Sequence, residues 1–437
     1  MSAERKLFGT DGVRGVAGEF LTAELATRVG RAATACCERE RPQVLIIRDT
    51  RESGQMLESA LAAGIASAGG DALLGGVLPT PAASVLVRRY GFDLAAVVSA
   101  SHNPFRDNGI KFFGADGRKL GDETEAEIET RFEDAGGDAA VGRVRQLEGG
   151  LADYLRELRH HFRLDLSGRR VLLDCAHGAT YRAAPAIFER LGATVETIGA
   201  DPDGRNINDG VGSTHVDALA ERIGETDAEV GFAFDGDGDR VLAVDANGGI
   251  HDGDELIALA AKHLRQAGSL DGGVAVTVMT NFGFHREMER AGIEVASTGV
   301  GDRHVIAELA KRGWSLGGEQ SGHIIWTDYA PTGDGIGAAL LTLQALGESK
   351  LGDSPPFDRL PQRLVNVPVA DRDAIAGAGG LWSAVETENA GLEGRGRVLV
   401  RASGTEPLVR VMVEAPEAEE ADDVCARLVE IVRRELG

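Results

Sequence analysis

The stretch VLIIRDTRESGQMLESALAAGIASAGGDALLGGV, residues 44–77, carries the pattern that decides the fold. Four aliphatic residues lead into the polar turn RDT, and the alanine-rich segment 56–69 that follows is typical of a helix. A second apolar run begins at Asp71. Because alternating strands and helices build largely parallel sheets covered by helices, this stretch predicts an α/β unit.

The same alternation recurs along the chain. Apolar runs followed by polar or glycine-rich loops begin near residues 94, 169, 227 and 274. The segment 396–415 differs, because two strand-like runs there surround one polar loop and a helix-like segment follows. At 437 residues the chain needs several cores, since a domain holds about 150 residues. We therefore expect three α/β domains and a smaller C-terminal α+β domain.

Two stretches without a regular apolar period are expected near domain boundaries. Residues 133–150 are glycine-rich and predict a linker or a surface hairpin, and residues 354–371 are proline-rich. The expected domains comprise residues 1–155, 156–253, 254–365 and 366–437.

Charge limits the classes of partner. The net charge is −23, which disfavours nucleic acids and anionic membranes as partners. An anionic substrate would need a local basic pocket. The chain has only six lysines among its 46 basic residues, and arginine is the better bidentate phosphate ligand. No apolar run reaches the length of a signal peptide or a membrane span, so a cytoplasmic protein is expected.

The four cysteines do not indicate a site. Cys36 and Cys37 are adjacent, and neither Cys175 nor Cys425 has a partner at the C-x-x-C spacing. Neither a zinc site nor a disulfide framework is predicted, and we expect reduced thiols.

The motif DGDGDR, residues 235–240, predicts a metal site. Its three carboxylates alternate with glycines, and ionised carboxylates this close repel one another unless a hard divalent cation lies between them. An EF-hand is excluded, because Arg240 and Ala246 stand where that loop requires Gly and Glu. The alternative is an exposed acidic turn. Mg²⁺ is favoured because few protein ligands leave room for phosphate oxygens.

The motif RASGTEPLVR, residues 401–410, predicts an anion site. Its small residues expose backbone N–H groups, Ser403 and Thr405 add hydroxyls, and Arg401 and Arg410 add two guanidinium groups. A polar hairpin loop without a ligand is the alternative.

Two further loops carry weaker signals. In GGEQSGH, residues 317–323, the side chains of Glu319, Ser321 and His323 alternate, and in an extended loop they would face one side and suit hydroxyl recognition. A surface turn explains them equally well. The glycine-rich STGVGDR, residues 297–303, is similar and carries one arginine.

The motif SASHNP, residues 99–104, presents Ser101 after an apolar run. A Ser-His-Asp hydrolase is a poor fit, because the G-x-S-x-G elbow is absent and His102 is adjacent in sequence. Lys111 lies on the expected next strand and can return to the same sheet edge.

Together these loops resemble one family, the α-D-phosphohexomutases, over essentially the whole chain. SASHNP is similar to the phosphoserine loop, DGDGDR to the magnesium loop, GEQSGH to the sugar loop and RASGTEP to the phosphate loop, in the family's order. FGTDGVRG (8–15), DPDGRNINDGVGSTH (201–215) and Gln320, where the phosphomannomutase branch typically has Met, resemble the bacterial phosphoglucosamine mutase subgroup. The resemblance implies three related α/β domains with mixed sheets and a C-terminal α+β domain around a central cleft.

The resemblance also implies roles for individual residues. Ser101 would carry a phosphoryl group, and one Mg²⁺ per chain would bind to Asp235, Asp237, Asp239 and the phosphoserine. A sugar bisphosphate would prime the serine. The implied substrate-binding residues are Gly299, Asp302, Arg303, Glu319, Ser321, Arg401, Ser403, Gly404, Thr405 and Arg410.

The implied acid–base groups are Arg14, Lys111 and His323. Because a guanidinium hardly deprotonates, we expect Arg14 to stabilise charge and Lys111 to shuttle the proton. His102, Asn103 and Arg240 are expected to support the loops.

The implied reaction interconverts glucosamine 6-phosphate and glucosamine 1-phosphate through a bisphosphorylated sugar, for UDP-N-acetylglucosamine synthesis. The alternatives are a phosphomannomutase/phosphoglucomutase, a magnesium-dependent phosphatase with Ser101 as nucleophile, and a non-catalytic sugar-phosphate or metal-binding protein. The expected partner is a phosphorylated hexosamine, with no nucleic acid or membrane, and the expected assembly is a monomer or homodimer.

Overall fold

The chain divides into two compact units in a computed structural model. One unit comprises residues up to 278 together with 296–354, and the other comprises 279–295 together with 355–437. The structure describes residues 7–9, 11–132, 141–403 and 406–437.

The first α/β sheet has six strands in the order β1-β5-β4-β2-β3-β6. Strands β2, β3, β4 and β6 run parallel, whereas β5 is antiparallel to both of its neighbours, β4 and β1. The strands are β1 (Val13–Val16), β2 (Gln43–Arg48), β3 (Asp71–Val77), β4 (Leu94–Val98), β5 (Asp107–Gly114) and β6 (Val144–Gln146). The helices are α1 (Ala23–Ala35), α2 (Gly54–Ser67), α3 (Thr80–Tyr90), α4 (Asp122–Arg131) and α5 (Gly150–His161).

This sheet confirms the α/β unit predicted from residues 44–77. Strands β2 and β3 pair in parallel, and α2 connects them where a helix is predicted at 56–69. Leu57, Leu61 and Ile65 of α2 are fully buried, because their spacing places them on one face of the helix. The stretch 133–150 differs from the expected linker or hairpin, since its residues 144–146 form the edge strand β6; residues 133–140 lie outside the described part of the chain.

The second sheet has five strands in the order β11-β10-β9-β7-β8. Strands β9, β7 and β8 are parallel, whereas β10 and β11 are antiparallel to their neighbours. The elements are β7 (Arg170–Asp174), α6 (Ala183–Arg190), β8 (Thr194–Ile198), α7 (Asp217–Ile223), β9 (Val230–Phe234), β10 (Val241–Asp245) and β11 (Ile250–His251).

The third sheet has four strands in the order β13-β12-β14-β15, with β12 parallel to β14 and β14 antiparallel to β15. The elements are α8 (Gly253–Ala267), β12 (Val274–Thr277), α9 (Phe282–Arg290), β13 (Val295–Thr298), α10 (Asp302–Arg312), β14 (Leu316–Gly318), β15 (Ile324–Trp326) and α11 (Gly335–Leu346). Helix α9 belongs to the second unit, where Phe284 packs edge-on against Phe357.

The fourth sheet is antiparallel in the order β16-β18-β17, and two helices complete this α+β domain. The elements are β16 (Gln362–Pro368), a 3₁₀ turn (Asp373–Gly377), α12 (Gly379–Gly391), β17 (Arg397–Ala402), β18 (Leu408–Glu414) and α13 (Ala418–Leu436). Leu428 and Val432 of α13 are fully buried in a core shared with Val411 and Val413 of β18.

The four motif loops occupy equivalent places. SASHNP connects β4 to β5, DGDGDR connects β9 to β10, and GEQSGH connects β14 to β15, each joining a strand to its antiparallel neighbour. RASGTEP connects β17 to β18 in the same way. Within the described ranges, no helix combines the length and the apolar character that crossing a bilayer requires.

Candidate active site

Ser101 lies just beyond the end of the fully buried strand β4 and is 2% exposed. Its backbone has a φ of 52°, a left-handed conformation that residues other than glycine rarely adopt. Its Oγ donates a hydrogen bond to Asp235 Oδ2 at 2.5 Å. The predicted phosphoserine loop and magnesium loop therefore meet at this hydroxyl.

Arg51 binds the backbone carbonyl groups of the serine loop, and the sequence analysis missed this residue. Its side chain is fully buried and pairs with Asp49 at 2.8 Å. Its Nη atoms donate to the carbonyl oxygens of Ser101 and Asn103, both at 2.8 Å, and of Asp107 at 3.0 Å. The available signal was an Arg two residues after Asp49 at the end of strand β2, where loops of α/β sheets commonly build sites.

Asp235, Asp237 and Asp239 are all buried, so the exposed acidic turn is excluded. One carboxylate oxygen from each lies within 4.8 Å of the others. Asp237 Oδ1 and Asp239 Oδ1 are buried and accept no hydrogen bond from the part of the chain that is described. Buried oxygens of this kind fit a hard divalent cation, which would supply the missing partner.

Lys111 is the nearest compensating charge. It lies on β5, is 2% exposed, and places Nζ 2.6 Å from Asp237 Oδ2 and 3.7 Å from Asp239 Oδ2. Burial would lower the pKa of Lys111, but the charges of Asp237 and Asp11 outweigh burial and raise it. Lys111 is therefore an ammonium ion in this cluster.

The three carboxyl groups titrate differently. Burial, together with the charges of Asp237 and Asp239, raises the pKa of Asp235 well above its ordinary value. For Asp239 burial acts in the same direction, but the charges of His323 and Lys111 outweigh it and hold the pKa well below that value. Asp235 therefore holds a proton more readily than Asp239, and a cation bound beside Asp235 would favour its ionised form.

His323 joins the sugar loop to this cluster. Its Nδ1 lies 3.6 Å from Asp239 Oδ1, and its Nε2 lies 3.7 Å from Asp302 Oδ2. Burial lowers the pKa of His323, but the nearby charge of Asp239 more than offsets this and raises it. Lys119, another residue that sequence reasoning missed, connects Asp302 at 2.6 Å to Asp11 at 2.7 Å.

Arg14, the expected charge stabiliser, is the first residue in this series of ion pairs. It pairs with Asp11, and its Nε is buried without a hydrogen-bond partner in the described structure. The structure therefore connects Arg14, Lys111 and His323 through shared carboxylates.

The sugar loop is a tight turn, not an extended segment. Gly322 N donates to Glu319 O at 3.0 Å, and Glu319 N donates to His323 O at 3.1 Å. As a result Ser321 is exposed while His323 is buried. The expected extended conformation of this loop is therefore not the one observed.

Glu319 also reaches the glycine-rich loop 297–303, because its Oε1 accepts a hydrogen bond from Gly301 N at 3.0 Å. This loop contains Gly299, and the side chain of Arg303 pairs with Asp122 at 2.6 Å. Asp302, Arg303 and Glu319 are therefore close in the same compact unit.

The expected loop supports lie beside Ser101 and Asp239. His102 Nδ1 is 3.4 Å from Ser101 Oγ, and burial lowers the pKa of His102. Asn103 Nδ2 donates to Asp107 Oδ2 at 2.8 Å, which stabilises the turn. Arg240 Nε lies 3.9 Å from Asp239 Oδ1.

The phosphate loop belongs to the second unit. The antiparallel register places Arg401 directly opposite Arg410, so two like charges face each other on the sheet. Burial, assisted by the charge of Arg410, lowers the pKa of Arg401. Ser403 is buried, and its carbonyl oxygen accepts from Arg372 at 3.0 Å. Gly404 and Thr405 lie outside the described residues.

Family models match almost the whole chain. They are described as phosphoglucomutase/phosphomannomutase alpha/beta/alpha domain I at residues 5–137, domain II at 152–249, domain III at 252–360 and the C-terminal domain at 364–431. The chain belongs to the phosphoglucomutase/phosphomannomutase family. The predicted resemblance to the phosphohexomutases and the predicted fold class are thus confirmed.

Similar proteins show which members of the family this phosphohexomutase resembles in sequence and in structure. It is 49% identical over 442 residues to the phosphoglucosamine mutase of Pelotomaculum thermopropionicum, covering 98% of this chain and 99% of that protein. It is 47% identical over 448 residues to the phosphoglucosamine mutase of Geobacillus thermodenitrificans, covering 99% of both chains. A crystal structure of a phosphoglucomutase/phosphomannomutase family protein from Burkholderia thailandensis shares the fold, with a TM-score of 0.82 at 24% identity over 98% of this chain and 97% of that one. The predicted enzyme class, a phosphohexomutase isomerase, is confirmed.

Proposed function

We propose that this phosphohexomutase interconverts glucosamine 6-phosphate and glucosamine 1-phosphate through a phosphorylated Ser101 and a bisphosphorylated sugar. The observation that carries the proposal is the position of Ser101 Oγ, 2.5 Å from Asp235 in a buried cluster of three carboxylates and one lysine. The choice of amino sugar rests on the relatives of nearly half-identical sequence, which are phosphoglucosamine mutases.

One divalent cation, Mg²⁺ by the chemistry of the oxygen donors, would be held by Asp235, Asp237 and Asp239 beside the serine oxygen. When bound, it supplies neutralisation of charge at the transferring phosphoryl group. The remaining work belongs to the residues of the chain, because phosphoryl transfer depends mainly on positioning and on charge stabilisation.

Lys111 is the proposed proton shuttle. When the phosphoserine P–O bond breaks and a P–O bond to the sugar hydroxyl forms, the ammonium group supplies the proton that Ser101 Oγ needs. The proton released by the sugar hydroxyl then restores the ammonium group. Arg14 stabilises charge, because its guanidinium remains protonated, and His323 is the alternative acid–base group.

The other proposed roles concern binding. Glu319, Ser321, Gly299, Asp302 and Arg303 contact the sugar, and the loop 401–410 holds whichever phosphate is not reacting. This division suits a reaction in which the sugar bisphosphate turns around, because each phosphate must occupy each place in turn. Asn103, His102 and Arg240 support the loops.

Three finer proposals accompany this function. A sugar bisphosphate primes the serine, the enzyme works in the cytoplasm as a monomer or homodimer, and the domains comprise residues 1–155, 156–253, 254–365 and 366–437.

The test compares turnover of glucosamine 6-phosphate, glucose 1-phosphate and mannose 1-phosphate, with Mg²⁺ and a trace of sugar bisphosphate. We expect a clear preference for the glucosamine phosphate and complete loss of turnover in Ser101→Ala. Ser59→Ala, at an exposed position of α2, serves as the control and should keep full activity. A preference for glucose or mannose phosphate would favour the phosphomannomutase/phosphoglucomutase alternative, and steady release of inorganic phosphate would indicate a phosphatase.

A further inference from the structure

Four non-glycine residues of the described chain have a positive φ, and they form one patch. They are Ser101 (52°), Ala176 (54°), His177 (49°) and Asn208 (60°). Such conformations are unfavourable for residues with a Cβ and persist only where surrounding contacts hold them. Their clustering indicates that the contacts around Ser101 are built to maintain a particular geometry.

Hydrogen bonds connect these residues into a closed ring. Asn208 Nδ2 donates to Ser101 O at 3.0 Å, and Asn208 N donates to Ala176 O at 2.9 Å. Thr50 Oγ1 donates to His177 O at 2.6 Å. Arg51, the next residue, closes the ring through its bond to Ser101 O. The ring joins the first α/β sheet to the second, because Thr50 and Arg51 follow β2 whereas Ala176 and His177 follow β7.

Asn208 is the part of the ring that reaches the serine loop from the second sheet. It is 6% exposed, and its single Nδ2 group also donates to Asn103 O at 3.2 Å. It therefore binds two of the carbonyl oxygens that Arg51 also binds. Removing Asn208 Nδ2 would leave these two carbonyl groups with Arg51 as their side-chain donor.

The magnesium loop packs on the same point. A Cβ added to Gly236 would lie 2.6 Å from Ser101 O and 2.7 Å from Asn208 Nδ2, which is closer than atoms can approach. Gly236, which separates Asp235 from Asp237, therefore packs directly against the contact between Asn208 and Ser101. A small rotation of Ser101 about φ would move its Oγ away from Asp235.

We propose that Asn208 is a positioning residue for phosphoryl transfer: together with Arg51 it grips the carbonyl groups of Ser101 and Asn103 and keeps Ser101 Oγ against the carboxylate cluster. This inference rests on the proposed phosphoserine function. It assigns a role to the motif DPDGRNINDGVGSTH, residues 201–215, beyond its use in recognising the subgroup.

The geometry gives sharp test variants. Asn208→Gly removes both side-chain hydrogen bonds and leaves a residue that accepts a φ of 60° without strain. Asn208→Asp keeps the shape of the side chain and its tolerance of this conformation, but a carboxylate has no N–H to donate. Asp209→Gly is the matched control, because Asp209 is the next residue in the same loop and is exposed.

The experiment measures kcat, KM and thermal stability, and follows a single turnover from the phosphorylated enzyme by rapid quenching. For Asn208→Gly and Asn208→Asp we expect kcat and the single-turnover rate to fall about 10- to 100-fold, because a shift of about 1 Å in a reacting atom has an effect of that size. KM should stay within about twofold, since the sugar is held by other loops.

The proposal is overturned if both variants keep kcat within about twofold of Asp209→Gly. It is also overturned if the loss follows only the fraction of unfolded protein, so that activity per folded molecule is unchanged. An inactive wild-type enzyme would instead contradict the proposed function, which keeps the two failures distinguishable.

Discussion

Single residues around Ser101 set the chemistry that the site can perform. Three buried carboxylates face Lys111, His323 and Arg240, and two carboxylate oxygens are left without hydrogen bonds from the described residues. A group of buried charges is stable only when it is paired and hydrogen-bonded. The two oxygens that lack a donor are therefore the observation that favours a bound cation and, through it, a phosphoryl group.

The prediction at this scale concerns Lys111. In Lys111→Met we expect kcat to fall by roughly 10²- to 10⁴-fold, because the proton shuttle is removed. Without divalent cation the free energy of unfolding should fall by about 3–5 kcal/mol, since Asp237 loses its buried partner. Steady-state kinetics and denaturant unfolding, with and without Mg²⁺, provide the measurements.

Lys350→Met is the control for Lys111, because Lys350 is exposed. It should leave both quantities unchanged. Near-normal turnover in Lys111→Met would rule out Lys111 as the proton shuttle.

At the scale of elements, the hairpin of β17 and β18 creates a basic site in an acidic protein. Its register places Arg401 opposite Arg410, and like charges in directly opposite positions destabilise a sheet. Among the described residues, Arg410 pairs with the carboxylate of Glu406, 3.7 Å away. A bound phosphate would relieve the repulsion, so the repulsion itself favours ligand binding.

For this hairpin we predict the effect of Arg410→Gln. KM for the sugar phosphate should rise about 10- to 100-fold with little change in kcat, because one charge-assisted hydrogen bond to phosphate is lost in every bound state. The melting temperature in phosphate-free buffer should stay equal or rise. The control is Arg363→Gln on the neighbouring strand β16, where Arg363 pairs with Asp422 on the surface. An unchanged KM in Arg410→Gln would remove this residue from the phosphate site.

At the scale of the whole molecule, stability depends on how one domain continues into the next. His251 of β11 lies between Asp245 of β10, with Nε2 3.1 Å from Oδ2, and Glu255 of α8, with Nδ1 3.4 Å from Oε2. Burial lowers the pKa of His251, but the hydrogen bonds and charges of these carboxylates outweigh burial and raise it. A protonated His251 thus stabilises the transition from the second sheet to the third.

This geometry predicts a dependence of stability on pH. Because the folded state has the higher pKa, the contribution of His251 is complete below about pH 6.5, the ordinary value of histidine, and is lost as the pH rises through the raised value. Denaturant unfolding at pH 6 and pH 9 should show a loss of stability with rising pH in the wild type that is smaller in His251→Gln. His160→Gln, an exposed position of α5, should behave as the wild type. An equal loss in His251→Gln would contradict this role.

Much of the fold was predictable from the sequence because its periodic patterns are local. The alternation of apolar runs and helical segments predicted α/β units, the family resemblance implied mixed sheets, and the comparisons confirmed this fold class. Residues 144–146 were mistaken for part of a linker or hairpin. They form a short exposed strand whose order comes from pairing with β3, and no local pattern reports such pairing.

By itself the sequence determined which residue types stand at each strand end: the serine after β4, the three carboxylates after β9, the paired arginines of β17 and β18. These depend only on order along the chain and on the chemistry of the side chains. Only the tertiary structure decided that Arg51 and Asn208, 157 positions apart, hold the same two carbonyl groups, and that Lys119 joins Asp11 to Asp302. The physical reason is that a buried polar group takes its partner from whatever the packing brings near, and packing is a property of the whole fold.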